Sequence, residues 1–174
     1  MSSVKARTSF VPLTAEQAVA GLKDYGQLAC DGEGVLFWVE YRPEEAGRNC
    51  LVRYENGLQK NLTPPEFDVR SSVHEYGGLS WCLIDSHSWV FVNKQDQQLY
   101  RQTLQVDCPE QLTFRSESRF GEPHYDAQHH RILMLEEVHS GENVLNHVVS
   151  LCLSSGRLTV LHQGHDFYSS IALS

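Results

Sequence analysis

His74, Glu75 and Tyr76 form the densest run of chemically capable side chains, four residues after Arg70 and directly before Gly77-Gly78. An imidazole, a carboxylate and a phenol side by side can capture an amine, or can simply hydrogen-bond to one another. The paired glycines lack β-carbons and so permit a bulge or a close backbone approach. Two uses stay open for the cluster: lining a cavity, with Glu75 attracting an amine, or tying the first structural unit of the chain to the second. Arg70 fits either, since it could pair with Glu75 as a purely structural ion pair. A second set, Glu136, Glu137 and His139, ends an apolar run, where carboxylates are expected to be solvated.

Nine histidines raise the question of a metal. His129-His130 stands before an apolar run, where adjacent side chains on extended backbone point apart. No H-E-x-x-H and no Cys/His set with zinc spacing occurs, so no metal and no cofactor is expected. His162 and His165 flank Gly164 and are expected at the surface. No G-x-S-x-G is present: Gly78-Leu-Ser-Trp-Cys82 has Cys in place of the final Gly. The chain therefore carries no nucleophile elbow, and no catalytic residue is assigned.

The elements that must position these groups are mostly strands. Thr14 can cap a short helix beginning Ala15-Glu16-Gln17 and ending by Gly26. Beyond it, one layout recurs. Asp31-Gly-Glu-Gly precedes Val35–Tyr41, Asp85-Ser-His-Ser precedes Trp89–Val92, and Asp126-Ala-Gln-His-His precedes Arg131–Glu136. Continuous apolar runs of this length suit central strands buried on both faces. Cys50–Tyr54, Gln98–Gln102 and His147–Leu153 follow, and the units close on Leu62-Thr63, Leu112-Thr113 and Val160-Leu161. The endings lie about 50 residues apart, near the length of a four-stranded propeller blade.

The expected fold is all-β: about three blades and the start of a fourth from a seven- or eight-bladed β-propeller, after a short N-terminal helix. Approximate units are residues 27–63, 78–113 and 120–163, with the next starting at 165–174. A β-sandwich of similar hairpins is the rival. Three blades and a stub would leave strand edges unpaired, so the chain reads as truncated, with edges open to an oligomeric contact.

Composition narrows the partners. Apolar content of 41% and charged content of 21% are those of an ordinary globular protein. The net charge of −8, with basic residues scattered, argues against a nucleic-acid partner. No apolar run approaches the roughly 18 residues of a membrane span, and no secretory signal is evident, so a cytoplasmic location is expected. The five cysteines lack a C-x-x-C pair and are expected as small buried hydrophobes. The sequon Asn61-Leu62-Thr63 is taken as chance.

Asp68-Val-Arg-Ser-Ser-Val-His-Glu-Tyr-Gly-Gly78 resembles the R-x-x-V-H-E-Y-G-G signature in propellers of the acylaminoacyl-peptidase and dipeptidyl-aminopeptidase branch of the prolyl oligopeptidase family of serine peptidases. Trp38-Val-Glu-Tyr-Arg-Pro-Glu-Glu-Ala-Gly-Arg48 is similar to that branch's W-x-E-x-R-P-x-E-x-G-R segment. Glu137-Val-His139, Gly141-Glu142 and Asn146 follow its E-D-H, G-E and N-x-I-V pattern, and Asp166-Phe-Tyr-Ser169 its D-F-Y-S. Val138 departs from the family's Asp, and Ile171 from its usual Pro.

The resemblance implies a non-catalytic propeller segment of a serine exopeptidase acting on short peptides. The Ser-Asp-His triad would belong to an α/β-hydrolase domain of the same full-length protein, absent here. Arg70, His74, Glu75, Tyr76, Glu137 and His139 would line the channel or contact peptide. The alternative is a stand-alone or decayed propeller-like binding module with no peptidase role, its open edges accepting a strand.

Overall fold

The computed structural model describes residues 14, 23–141 and 143–173. These carry three four-stranded antiparallel sheets, each a simple up-and-down meander. Sheet one holds β1 (Asp24–Cys30), β2 (Leu36–Arg42), β3 (Arg48–Glu55) and β4 (Leu58–Asn61). Sheet two holds β5 (Trp81–Asp85), β6 (Ser88–Val92), β7 (Leu99–Thr103) and β8 (Val106–Gln111). Sheet three holds β9 (Ser118–Asp126), β10 (Arg131–Ser140), β11 (Asn143–Cys152) and β12 (Leu158–Gln163). This is a partial β-propeller.

The recurring aspartates build the first hairpin of each sheet by one device. The Asp31 carboxylate accepts from the Glu33 and Val35 amides at 2.9 and 2.8 Å. Asp85 accepts from the His87 amide at 2.7 Å, and Asp126 from the His129 amide at 3.3 Å. A short carboxylate that bonds backbone two to four residues on closes a turn without help from the rest of the chain. Arg131 and His129 also hold the Asp126 carboxyl down to about 2.

The apolar runs are continuous because the middle sheet is covered on both faces. Trp89 and Phe91 of β6 pack with Phe37, Val39 and Leu51 of sheet one. Their neighbours Val90 and Val92 pack with Phe120, Ile132, Met134 and Val149 of sheet three. Side chains alternate across a strand, so burying both sets leaves no polar position between them.

The Leu-Thr endings have a shared function in the first two sheets. Thr63 Oγ1 accepts the Leu51 amide and Thr113 Oγ1 accepts the Leu99 amide, each at 2.9 Å. Both receiving strands are fully buried there. Replacing Thr63 by valine keeps the shape and orphans that amide, which should destabilise the protein by about 1–2 kcal/mol in urea unfolding. An unchanged midpoint would mean that another acceptor takes over.

Several expectations need correction. The N-terminal helix expected from Ala15 lies on residues 15–22, outside the described residues, and only its end, expected by Gly26, is corrected, since Asp24 already begins β1. Residues 165–173, expected to open the next unit, form no strand among the described residues. Glu136 and Glu137 are not solvated: they are 0% and 4% exposed, since β10 is a central strand of its sheet. Of the cysteines only Cys50 is fully buried, while Cys30 and Cys108 are exposed and all five are free. Cys82 is half-buried, and burial pushes its thiol up to about 12.

Candidate functional site

The segment carrying Arg70, His74, Glu75 and Tyr76 runs from an isolated bridge, Val69 to Asn93, into the first strand of sheet two. Its backbone is tightly wound. His74, Glu75 and Gly77 have φ of 59°, 64° and 77°. Consecutive non-glycine residues in the left-handed region are uncommon and persist only where surroundings hold them.

Here the surroundings come from two sheets. Inside the turn, the Glu75 amide donates to Ser72 O at 3.1 Å and the Gly77 amide to Val73 O at 3.0 Å. Ser71 Oγ donates to Phe120 O of β9 at 2.7 Å. At its far end two bulged first strands clamp the loop. Gln27 of β1, at φ 53°, accepts from the Ser80 amide and donates to Gly78 O at 2.9 and 3.3 Å. Glu122 of β9, at φ 52°, accepts from the Leu79 amide at 2.7 Å.

The fit requires Gly77 and leaves little room at Gly78. A β-carbon on Gly77 would lie 2.6 Å from Ser71 O, and one on Gly78 2.5 Å from Glu122 Oε1. Gly77→Ala meets rigid backbone as well as an unfavourable φ, and should cost about 1–2 kcal/mol. Thermal unfolding of the variant checks this: an unchanged Tm would show that the turn adjusts.

Glu137 is the hub. Its Oε1 accepts from the His74 amide at 3.0 Å and lies 3.4 Å from His74 Nδ1. Its Oε2 lies 3.1 Å from His139 Nε2 and 3.8 Å from the Arg119 guanidinium. Arg119 also reaches Glu75 at 2.6 Å and donates to Ser72 O at 3.3 Å. His74 Nε2 sits 2.9 Å from Tyr168 O, and its ring lies 4.0 Å from that of Phe167. Both nitrogens of that imidazole therefore face acceptors.

The structure thus joins His74, Glu75, Glu137 and His139 in one network. It does not join Arg70 to Glu75: Glu75 pairs with Arg119 instead. The cluster ties the loop to sheet three and residues 167–168, rather than sheet one to sheet two. Arg70 and Tyr76 stand apart, both exposed, Tyr76 at 93%. They border a pocket of about 250 Å³ with Gln27, Asn49, Ser71 and Ser80. Among the described residues the Arg70 guanidinium has no ion pair.

Arg119, Gln27 and Glu122 were not legible as site residues. Arg119 faces Glu137 across the β9–β10 ladder, a register that becomes visible only once the strands pair.

Its hydrogen bond with Arg119 holds the Glu75 carboxyl below its ordinary value. A depressed carboxylate contributes stability above the ordinary range and loses it as pH falls through the depressed value. The contact should therefore survive acidification through the ordinary range and break only below it. Carboxyl NMR titration of Glu75 should give a lower midpoint than in Arg119→Gln; equal midpoints would overturn the pairing.

No group of three or more His, Cys, Asp or Glu side chains suited to a metal occurs among the described residues. His129 instead bonds Asp126 at 2.8 Å. His162 and His165 are exposed and stack on each other at 5.4 Å, beside Tyr168.

No family model matches the chain, and no curated protein does. Solved structures do. A puromycin-hydrolysing peptidase of Mycobacterium tuberculosis is 26% identical, with a TM-score of 0.77 over 85% of this chain and 25% of that one. A puromycin hydrolase is 24% identical, with a TM-score of 0.72 over 83% and 24%. TolB from Acinetobacter baumannii, at 16% identity and a TM-score of 0.56 over 79% and 32%, is similar in fold alone. The chain spans about a quarter of the length of the peptidases it matches. Its three meandering sheets have the fold of a propeller portion of a prolyl oligopeptidase-family peptidase.

Proposed function

We propose that this chain forms part of the lid of a cytoplasmic serine exopeptidase, walling the channel by which short peptides reach an α/β-hydrolase domain of the same protein. The observation that carries the reading is the Val73–Gly78 turn. It is locked by Glu137, Arg119, Gln27 and Glu122 just before a first strand, in a fold shared with a puromycin-hydrolysing peptidase. In this reading the locked groups position the turn, and the free Arg70 and Tyr76 are what a passing peptide meets. Glu75 takes a peptide amine only by exchanging it for Arg119. The catalytic serine comes from outside these 174 residues.

An antibody against this chain, applied to the source cells, provides the test. The polypeptide it retrieves should hydrolyse puromycin or an aminoacyl anilide and lose that activity to a serine-directed reagent. A retrieved polypeptide of this chain's own length, inactive on both, would overturn the peptidase reading. The binding-module alternative would then take its place.

A further inference from the structure

The pocket of about 250 Å³ beside the Val73–Gly78 turn has a charge pattern that the Glu137 hub does not explain. Among the described residues that line it, only Arg70 carries a charge. Its side chain is exposed and has no ion pair or hydrogen bond among the described residues. Its backbone, in contrast, is fixed on both sides. The Arg70 amide donates to Val92 O at 3.0 Å, and its carbonyl accepts from Gln97 at 3.4 Å. The carboxylates of the surrounding segments are engaged: Glu75 by Arg119, Asp68 by Lys94 and Asn49, Glu122 by the Leu79 amide. None of them lines the pocket.

The backbone of the loop agrees with that pattern. An amide kept from water normally finds an acceptor. Most amides of residues 70–80 find one within the protein. Those of Ser71, Tyr76 and Gly78 have no acceptor among the described residues, and all three residues line this pocket. Val39 and Val69, both buried, add apolar surface. A free guanidinium, unpaired amides and no carboxylate make a site for an anion. The planar fork of arginine matches a carboxylate through two parallel hydrogen bonds.

A peptide carries a carboxylate in two places, at its C-terminus and on an Asp or Glu side chain. The pocket is smaller than the about 300–1,000 Å³ usual for a whole ligand. That suits the end of a chain, with its last side chain against the valines, whereas an internal acidic residue must lead its chain out twice. We propose that this pocket binds the C-terminal carboxylate of a short peptide, with Arg70 as the anchor and the unpaired loop amides as further donors. The proposal rests on the reading of this face as a peptide channel, and adds which end of the peptide is held.

A ¹⁵N-correlated NMR titration of the full chain tests it with three probes. These are acetyl-Gly-Ala-Leu with a free C-terminus, the same peptide as its C-terminal amide, and acetyl-Gly-Glu-Gly-amide. The free acid should move the Arg70 Nε–H and the Tyr76 and Gly78 amide resonances, and both amidated peptides should leave them in place. Arg70→Gln removes an exposed, unpaired side chain and so should fold. It is expected to weaken the free acid about fivefold, the upper end for an ion pair open to solvent. Equal binding of acid and amide would overturn the proposal, as would undiminished binding to Arg70→Gln or no shift at millimolar peptide. Equal or tighter binding of the glutamate peptide would also overturn it, by assigning the site to acidic side chains. No hydrolysis is read, so failure here leaves the peptidase reading to its own test, and failure of that reading leaves the binding result standing.

Discussion

Replacing Phe91 by alanine is expected to destabilise the protein by about 3–5 kcal/mol, the range for emptying a buried aromatic site. The ring is fully buried between sheets one and two. Phe67 meets it edge-on at 5.8 Å, and Tyr100 stacks at 5.8 Å with 20° between planes. Neither neighbour can fill the hole cheaply. The Phe67 backbone amide is tied to Pro64 O at 3.1 Å, and the Tyr100 hydroxyl is anchored to Asp96 at 2.5 Å. Burial and that carboxylate together raise the Tyr100 pKa, so the phenol stays protonated and the anchor stays intact across the physiological range. A domain of this size has only about 5–15 kcal/mol in hand, so the variant should approach the threshold of folding. Urea unfolding followed by tryptophan fluorescence should show a lower midpoint with an unchanged slope. A loss under about 1 kcal/mol would mean that the sheets close over the gap, and that their spacing is softer than the packing implies.

Glu137→Ala should cost about 3 kcal/mol, the upper end for hydrogen bonds to a charged group. The carboxylate is 4% exposed, and alanine leaves the His74 amide without its acceptor and two imidazoles without their anion. Arg119 keeps Glu75 and Ser72 O, which limits the loss. Glu137→Gln is the informative companion, because its amide oxygen can still accept from the His74 N–H. It should lose about 1 kcal/mol and retain the turn. Amide hydrogen exchange then reads the site directly: His74 and Glu75 should lose protection in the alanine variant and keep it in the glutamine variant. Equal loss in both would assign the effect to charge rather than to the backbone hydrogen bond.

Much of the fold was legible because its determinants are local. Asp31, Asp85 and Asp126 close their turns on amides two to four residues away, so the turn chemistry needs nothing distant. The unbroken run Trp89–Val92 announced a strand covered on both sides, and sheets one and three supply the covers. Leu62-Thr63 and Leu112-Thr113 stood out as a repeat, although their use, a threonine oxygen capping a buried amide one strand away, appears only when the strands are paired.

The candidate site divides differently. Residue types alone marked the Val73–Gly78 turn, since paired glycines after His-Glu-Tyr demand a special backbone. Its partners were hidden by distance in sequence: Arg119 stands 44 residues from Glu75, Glu137 63 from His74, and Tyr168 94 from His74. The same non-locality misplaced Glu136 and Glu137 in solvent. A carboxylate near an apolar run is buried or exposed according to what pairs with its strand, and β10 continues through Ser140 between β9 and β11. Short-range chemistry thus determined the turns, the strands and the repeat. Strand register and sheet stacking alone decided which charges meet, which side chains stay free, and where a pocket remains beside the turn.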